Sequence, residues 1–384
     1  MNTTDVDITS TTYTENPYKW TNLLREKGNI HYLDKNQSWL IIGFSECVHI
    51  LNHPELFSSE GKHQFDPILL NCDPPKHTYH KRILSGDGSM FSNDRIDSLL
   101  ERNKQICEAQ FNRLSNNNRF DFLNDFALPY SSLVILAMLG IETSNNKDLL
   151  EWSKEAVSTK SVQNRDQAML NWMKLFPLVS SWVEEAYNNP QKRGIPEFIF
   201  HPNAQNYFTK DQIINLVKIL LLGGNETTPT LASSALYHLI CNNEQMIKLR
   251  ADPNLFESFL NEVLRYYAPT QIIARTTLID TSIEGQFIPK NSLINVAIGA
   301  ANRDPKYFEQ PNDFNLNRPK GRILSFGHGA HHCIGASLAK QETRLIFEEL
   351  FRRFKNIGLP DDFKPEYRHS THIRGLVSLP IIVS

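Results

Sequence analysis

The sequence lacks the features that mark secreted, membrane-bound and nucleic-acid-binding proteins. Its formal net charge is only −2, so no basic excess predicts a nucleic-acid or anionic-membrane partner. The amino-terminal stretch MNTTDVDITSTTYTENPYKW is polar and has neither the basic nor the apolar region of a signal peptide. The longest apolar run, residues 213–222, is interrupted by Asn215 and Lys218 and is too short to cross a bilayer. We therefore expect a cytoplasmic protein that binds neither nucleic acid nor membrane.

Cysteine is scarce as well, and its pattern excludes a disulfide framework. The five cysteines are odd in number and show no paired spacing, which favours a reducing compartment. They are Cys47, Cys72, Cys107, Cys241 and Cys333. The chain also has no internal repeat and no low-complexity segment. Its 384 residues, 40% of them hydrophobic, are enough to bury a large core, and length alone would allow two or three domains.

The most informative stretch is FGHGAHHCIG, residues 326–335, in which Cys333 precedes a predicted helix. A thiol near a helix start meets unpaired N–H groups and the positive end of the helix dipole, and both favour the metal-binding thiolate. Gly327, Gly329 and Gly335 remove side chains around the sulfur, so that backbone can approach a flat, bulky group. One sulfur ligand beside open space suits a planar cofactor better than a caged ion.

Two other interpretations of this stretch compete. A lone cysteine near a helix is usually a small buried hydrophobic residue. Alternatively, His328, His331, His332 and Cys333 would be zinc ligands. Their spacing is too tight for zinc, because adjacent side chains do not converge easily and no second Cys/His pair follows at finger spacing.

The stretch resembles the haem-binding signature F-G-x-G-x-H-x-C-x-G of bacterial cytochrome P450 enzymes. The matching positions are Phe326, Gly327, Gly329, His331, Cys333 and Gly335. The resemblance implies that the Cys333 thiolate is the axial ligand of haem b, where a thiolate favours O–O cleavage. It also implies the cytochrome P450 fold, mainly α with small β-sheets, as a single triangular domain over residues 1–384 without a fused reductase.

Two basic side chains share a face of the helix that follows PPKH. His77 and Lys81 are spaced i and i+4, which on its own is typical of a solvated basic surface. The resemblance identifies them with the family pair H-x-x-x-R, which holds a haem propionate, although lysine lacks the bidentate fork of arginine. It further assigns Arg275 and His331 to the propionates, since charge-assisted bonds to carboxylates are strong.

The second informative stretch is a long helix predicted over Thr209–Cys241. Its start is marked by a capping box between Thr209 and Gln212, and apolar residues on nearly all sides predict burial. The segment GGNETTP within it conflicts with a regular buried helix, as expected at a working site, although a structural proline kink is the alternative.

This segment resembles the family's oxygen-activation motif, [A/G]-G-x-[D/E]-T. The matching positions are Gly223, Gly224, Glu226 and Thr227. The resemblance implies that Glu226 and Thr227 act in proton delivery during dioxygen activation. Gly223 is predicted to let the helix backbone approach the cofactor.

Three further residues are predicted to be structural. Glu262 and Arg265 lie at i and i+3 in FLNEVLRYYAP, a spacing that by itself usually gives a solvated pair. The resemblance identifies them with the E-x-x-R motif and adds Arg318 as its third member. The three would then hold the loop that leads to the cysteine.

Substrate contacts are expected from the loop Ser58–Asn71, from residues 270–274 and from the carboxy-terminal tail, which resembles the family's terminal hairpin. The resemblance adds a lid within residues 119–200. The specific candidates are Gln271, Ile273, Thr371 and His372. The apolar residues beside Gln271 predict a mainly apolar pocket wall. The resemblance implies that one oxygen atom from O2 is inserted into a small, largely apolar organic substrate, in secondary metabolism.

The resemblance implies that electrons come from a separate ferredoxin and an NAD(P)H-dependent ferredoxin reductase. The predicted basic contacts for such a partner are Lys76, Lys81, Arg102 and Arg344. The alternatives are a peroxide-driven haem-thiolate enzyme, an oxidase of carrier-protein-tethered intermediates, and a non-catalytic haem sensor. The pair Glu226–Thr227 argues against the first, because peroxide-driven relatives tend to lack this acid–alcohol pair, and against the third, because a sensor needs no proton relay.

Overall fold

The computed structural model describes residues 6–61, 68–114, 117–141, 165–201 and 208–384, and the side chains of all of these except residues 165–175. The chain divides into two compact units. Unit 1 comprises Met1–Thr78, Asp252–Cys333 and Glu366–Gly375. Unit 2 comprises Tyr79–Ala251, Ile334–Pro365 and Leu376–Ser384. The single domain over residues 1–384 stays a prediction.

Helices dominate the described chain. In chain order the α-helices are α1 (Thr11–Glu15), α2 (Pro17–Arg25), α3 (Phe44–Asn52), α4 (Lys76–Ser85), α5 (Asn93–Ser98), α6 (Leu100–Leu114), α7 (Leu128–Met138), α8 (Arg165–Asn188), α9 (Ile195–Ile199), α10 (Lys210–Cys241), α11 (Asn243–Ala251), α12 (Phe256–Tyr267), α13 (Ile298–Ala301) and α14 (Ala336–Arg353). A π-helix, Phe122–Ala127, leads into α7, and short 3-10 turns lie at Leu69–Asn71, Pro253–Leu255 and Gly329–His331.

The strands form small sheets. They are β1 (Ile30–Leu33), β2 (Ser38–Ile41), β3 (Phe57–Ser58), β4 (Arg119–Asp121), β5 (Ile273–Thr277), β6 (Thr281–Ile283), β7 (Gln286–Ile288), β8 (Leu293–Val296), β9 (Ile357–Gly358) and β10 (Pro380–Val383). Unit 1 holds a five-stranded sheet of order β1-β2-β8-β5-β3 and the hairpin β6-β7, and unit 2 holds a three-stranded sheet of order β4-β10-β9. The mainly α fold with small β-sheets is confirmed.

Unit 1 is built on its five-stranded sheet. Strands β1 and β2 pair antiparallel, with Ile30 opposite Ile41. Strand β2 then pairs in parallel with β8. Strand β8 pairs antiparallel with β5, which positions Arg275 opposite Ile294. One face of this sheet packs with α3 and α13 into an apolar core. The core therefore fixes β5, the strand that carries Ile273 and Arg275 of the candidate site.

Unit 2 is organised around α10. Thr209 and Gln212 form the predicted capping box, with the Thr209 hydroxyl accepting from the Gln212 N–H and the Gln212 side chain accepting from the Thr209 N–H. Residues of α10 are buried on most sides against α7, α8 and α14. The helix continues without interruption through Pro229, so the predicted conflict in GGNETTP does not break it.

Several predicted boundaries shift. The single helix expected over Ser92–Leu114 is two helices, because α5 ends at Ser98 and α6 begins at Leu100. The helix expected from Glu46 begins at Phe44, where the Phe44 N–H donates to Asp304 Oδ2 at 2.8 Å. In the tail, the Arg368 N–H donates to Gly375 O. The last strand, β10, pairs with β4 and β9.

No helix within the described part of the chain is long and apolar enough to span a membrane.

Candidate active site

The cysteine loop of unit 1, residues 324–333, is held by its own backbone. The Cys333 N–H donates to Phe326 O at 2.7 Å, and the Gly327 N–H donates to Leu324 O at 2.8 Å. The loop needs the left-handed conformation at Gly327 (φ 70°) and Gly329 (φ 67°), which residues with a Cβ rarely adopt. The Cys333 side chain is exposed, unlike those of Cys47, Cys72 and Cys107.

Gly329 has a second reason to be glycine. A Cβ at this position would lie 2.3 Å from the carbonyl oxygen of Leu51, near the end of α3. The close approach is therefore between the loop and a helix of the same unit. The predicted reason, room for a flat group, fits Gly335 better, because a Cβ there meets no atom within 4 Å.

The structure brings Glu262, Arg265 and Arg318 together behind this loop. Arg265 is 1% exposed and donates from Nε and Nη2 to the two oxygens of Glu262 at 2.7 and 2.8 Å. Arg318 Nε lies 3.1 Å from each oxygen of the same carboxylate. Arg265 also donates to the carbonyl oxygens of Asn302, Pro311 and Asp313. A buried guanidinium needs this many acceptors, and the cluster supplies them.

A second group of polar side chains in unit 1 lies around His331. The rings of His77 and His331 are 3.9 Å apart between centroids, tilted by 39°. Ser59 Oγ lies 3.0 Å from His331 Nε2. Asp73 accepts from the Ser59 N–H at 2.8 Å and also from the Ser58 hydroxyl. Two predicted propionate ligands, His77 and His331, are therefore adjacent. Sequence reasoning missed Ser59 and Asp73, whose hydrogen bonds connect His331 to the end of β3.

Arg275 is the third predicted propionate ligand and lies in the same unit. Its side chain is buried, and burial lowers the pKa of the guanidinium to about 10, while the carboxylate of Asp73 opposes this shift. Among the described residues its hydrogen-bond acceptor is Ala274 O, at 2.8 Å from Nη1. A guanidinium has five N–H donors, so this side chain has donors to offer to a carboxylate.

The remaining predicted cationic ligand, Lys81, follows His77 by one turn of α4 and is half-buried. Arg82 is exposed. The helical spacing predicted for His77 and Lys81 is thus present, with lysine where the family pair has arginine.

In unit 2, the segment Gly223–Thr227 is the least buried part of the middle of α10. Gly223 is exposed, Glu226 and Thr227 are half-buried, and a Cβ on Gly223 would meet no atom within 4 Å. Gly224 instead faces Ile135, whose side chain lies 3.5 Å from where its Cβ would be. The Thr227 hydroxyl donates to Gly223 O at 2.7 Å, the back-bond expected of a threonine inside a helix.

The predicted substrate residues have differing environments in unit 1. The Gln271 amide is buried and donates to Tyr18 Oη, Tyr267 O and Ala268 O, so it orders the backbone after α12. Its N–H donates to His372 O at 2.7 Å. Ile273 begins β5 and is half-buried, as is Thr371. Part of the predicted loop Ser58–Asn71, residues 62–67, lies outside the described residues, as do residues 142–164 of the expected lid.

The donor set fits haem and does not fit a caged ion. Within the described ranges no group of three His, Cys, Asp or Glu side chains could hold a metal ion, which leaves the zinc interpretation without support there. An exposed thiol after a glycine-rich turn offers a single sulfur ligand. The buried guanidinium of Arg275 and the adjacent His77 and His331 are suited to carboxylates.

Comparison with known proteins decides the family. The family model described as cytochrome P450 matches residues 188–380, half of the chain. The chain belongs to the cytochrome P450 family. As a P450 it is a monooxygenase, and its cofactor is haem b.

Curated relatives and a solved structure agree along nearly the whole P450 chain. Cytochrome P450 107B1 of Saccharopolyspora erythraea is 28% identical over 370 residues, covering 90% of this chain and 89% of that protein. Polyketide biosynthesis cytochrome P450 PksS of Bacillus subtilis is 27% identical over 395 residues, covering 96% of each. The structure of cytochrome P450 CYP109Q5 from Chondromyces apiculatus matches with a TM-score of 0.89 and 25% identity, covering 100% of this chain and 99% of that one.

Proposed function

We propose that this P450 inserts one oxygen atom from O2 into a small, largely apolar organic substrate, with Cys333 as the axial thiolate ligand. The observation that carries the proposal is the exposed Cys333 thiol at the end of a hydrogen-bonded glycine loop that matches the family signature. Bound haem b supplies the activation of dioxygen. The protein's residues supply ligation, charge neutralisation and protons.

His77, Arg275 and His331 hold the cofactor carboxylates in this proposal. Lys81 takes part as a point charge, because lysine cannot form the bidentate contact that arginine makes. Phe326, Gly327, Gly335 and Gly223 would be the further cofactor-binding residues. The burial of Arg275 strengthens its contact, since a charge-assisted hydrogen bond is stronger away from water.

Glu226 and Thr227 deliver protons in this proposal. The Thr227 hydroxyl donates to Gly223 O, so its oxygen lone pairs are available to accept a further hydrogen bond. The half-buried position of both side chains on α10 supports a relay between solvent and the reacting site. Peroxide-driven relatives tend to lack such an acid–alcohol pair, so its presence favours dioxygen as the oxidant.

The proposal extends to the substrate class and the partners. Ile273 and its apolar neighbours support an apolar pocket wall. A relative of this chain is named for polyketide biosynthesis, which supports a role in secondary metabolism and keeps a carrier-tethered substrate as the second candidate. We also propose that a ferredoxin and its NAD(P)H-dependent reductase supply electrons. Glu262, Arg265 and Arg318 are structural in this proposal. Residues 1–384 act as one domain, in the cytoplasm.

The reduced carbon monoxide complex tests the thiolate assignment. A thiolate-ligated haem gives a strongly red-shifted Soret band, so we expect this band in the wild-type protein and its loss in Cys333→Ser. Cys241→Ser is the matched control, because Cys241 is the other exposed cysteine outside the buried set. Retention of the band in Cys333→Ser, or its loss in Cys241→Ser, would overturn the assignment.

The coupling of electron use to product tests the proton relay. We expect Thr227→Ala to divert electrons to peroxide or water, whereas Thr227→Ser keeps the hydroxyl and stays coupled. General acid–base groups typically contribute about 10²- to 10⁴-fold to a rate, so product formation in Thr227→Ala should fall by at least tenfold. Full coupling in Thr227→Ala would remove this residue from the relay.

A further inference from the structure

Asn302 follows α13 in unit 1, and both the oxygen and the nitrogen of its side-chain amide form hydrogen bonds. It is 0% exposed. Its Oδ1 accepts from the Leu324 N–H at 2.7 Å, and its Nδ2 donates to Ser325 Oγ at 2.7 Å. An amide is suited to this site because it offers an acceptor and a donor on one planar group. The two residues it holds come directly before Phe326, the first residue of the haem-binding signature.

Both ends of this arrangement are also attached to α12. The carbonyl oxygen of Asn302 accepts from Arg265 Nη1 at 3.1 Å. The Ser325 hydroxyl donates to Leu264 O at 2.6 Å. The buried Glu262–Arg265 pair is therefore connected to the chain before the signature through Asn302, by hydrogen bonds alone.

The connection continues to the cysteine through the backbone. Leu324, which is fully buried, accepts from the Gly327 N–H, and Phe326 accepts from the Cys333 N–H at 2.7 Å. Each step joins residues that are close along the chain. A displacement of Leu324 and Ser325 would therefore move the backbone that orients Cys333.

No other described side chain makes an equivalent contact with the Leu324 N–H. Without the Asn302 acceptor that N–H would be buried and unsatisfied, which is costly for a backbone donor. Arg318 reaches Glu262 from a different loop, and within the described part of the chain its guanidinium otherwise donates to the carbonyl oxygens of Glu309, Gln310 and Asp313. The Arg265 cluster thus acts on the signature through Asn302.

We propose that Asn302 is a positioning residue that transmits the order of the Glu262–Arg265–Arg318 cluster to the Cys333 loop and so fixes the sulfur for iron ligation. The inference rests on the proposed role of Cys333 as the iron ligand. Asn302 lies outside both the haem-binding signature and the E-x-x-R motif, yet in this inference it helps to hold the thiolate.

The test compares two asparagines of unit 1. Asn302→Ala removes the contacts with Leu324 and Ser325, and Asn302→Asp keeps an acceptor for the Leu324 N–H but lacks the donor to Ser325. The matched control is Asn295→Ala, because Asn295 is also buried and its Nδ2 donates to a serine hydroxyl, Ser38 Oγ, at 2.9 Å. The readouts are the Soret band of the reduced carbon monoxide complex and the rate of haem transfer to apomyoglobin.

We expect Asn302→Ala to release haem about tenfold faster and to lose part of the strongly red-shifted band, since outer contacts of a metal ligand typically contribute about 10- to 100-fold to affinity. Asn302→Asp should lie between Asn302→Ala and wild type. Asn295→Ala should keep the wild-type band and transfer rate even if its unfolding midpoint falls.

Three outcomes overturn the inference. The first is a wild-type band and transfer rate in Asn302→Ala. The second is an equal change in Asn295→Ala, which would indicate general destabilisation. The third, which decides the case if Asn302→Ala does not fold, is an Asn302→Asp protein identical to wild type. Absence of the red-shifted band in the wild-type protein would instead refute the proposed function, so the two failures are distinguishable.

Discussion

Each of the two units buries a glutamate in a helix, and they stabilise it in opposite ways. Glu262 in α12 is paired with the guanidinium groups of Arg265 and Arg318 and accepts from the Asn315 N–H at 2.8 Å. Glu342 in α14 is equally buried, but its hydrogen bond comes from the Ser131 hydroxyl at 2.8 Å. Burial raises the pKa of Glu342 to about 8.

The difference follows from what each glutamate organises. Arg265, the partner of Glu262, also donates to the carbonyl oxygens of Pro311 and Asp313, which lie in a segment without regular structure. A charged side chain can hold several such carbonyls at once. Glu342 lies between packed helices, and within the described part of the chain no cation forms an ion pair with it. A buried carboxyl without a cation is held neutral, because desolvation disfavours its charged form. The comparison predicts that the Glu262 site depends on charge pairing and the Glu342 site on the absence of charge.

The largest effect should come from removing Arg265. Arg265→Leu leaves the Glu262 carboxylate buried with one cation fewer, and breaking such a buried pair costs about 3–5 kcal/mol of unfolding free energy. Urea unfolding followed by circular dichroism measures the loss. The control is Arg352→Leu, since Arg352 forms an i,i+3 pair with Glu349 but is 63% exposed. Equal losses in the two variants would contradict the comparison.

Glu342→Gln should remove a pH dependence. Glu342 is protonated in the folded state up to a pKa of about 8 and ionised in the unfolded state above about 4.5, so unfolding releases a proton between these values. Stability therefore falls as pH rises through this window, by at most about 1.4 kcal/mol per pH unit, and levels off above it. Between pH 6 and 8 the loss is at most about 3 kcal/mol in wild type and absent in Glu342→Gln.

Urea unfolding at pH 6, 7 and 8 checks this slope. Glu349→Gln on the same helix is the control, because hydrogen bonds from Arg352 and Arg353 lower the pKa of Glu349 and move its titration out of this range. The other titratable groups that interact with Glu342 are Cys107 and Tyr130, whose pKa values burial raises. The same slope in wild type and Glu342→Gln would show that Glu342 is not held neutral.

The smallest effect should come from Ser131→Ala. It removes the hydroxyl that donates to Glu342, a hydrogen bond with a net contribution of about 0.5–1.5 kcal/mol. The Ser131 hydrogen bond lowers the pKa of Glu342, so its loss should raise that pKa further and extend the sloping range upward. Ser132→Ala is the control, since the Ser132 hydroxyl bonds within its own helix to Leu128 O. An unchanged pH profile in Ser131→Ala would count against this hydrogen bond.

Local patterns account for what the sequence predicted well. The capping box of α10 involves residues three apart, and the Glu262–Arg265 pair lies within one helical turn, so both are readable from spacing. Arg318 could be found only from the resemblance, because it is 56 residues from Glu262. The burial of Glu342 has a signal in the sequence. This residue lies four residues after Leu338 and four before Ile346, both of which are buried.

The residues that sequence reasoning missed hold distant segments together. Asn302 and Ser325 are 23 positions apart in sequence and are ordinary residue types for a loop. Asp73 and Ser59 likewise acquire their role only once β3 and the start of α4 are adjacent. Such contacts depend on the tertiary structure, and neither propensity nor periodicity specifies them. The glycines of the cysteine loop show the same limit, since the reason for Gly329 lies in α3.

Gly329 limits how related sequences can diverge. Because a side chain at this position would collide with the carbonyl oxygen of Leu51, substitution there requires the carboxy-terminal turn of α3 to shift as well. Homologues that carry another residue at this position should therefore show compensating changes at positions 51–53. Directed evolution that leaves α3 untouched should recover only glycine at 329.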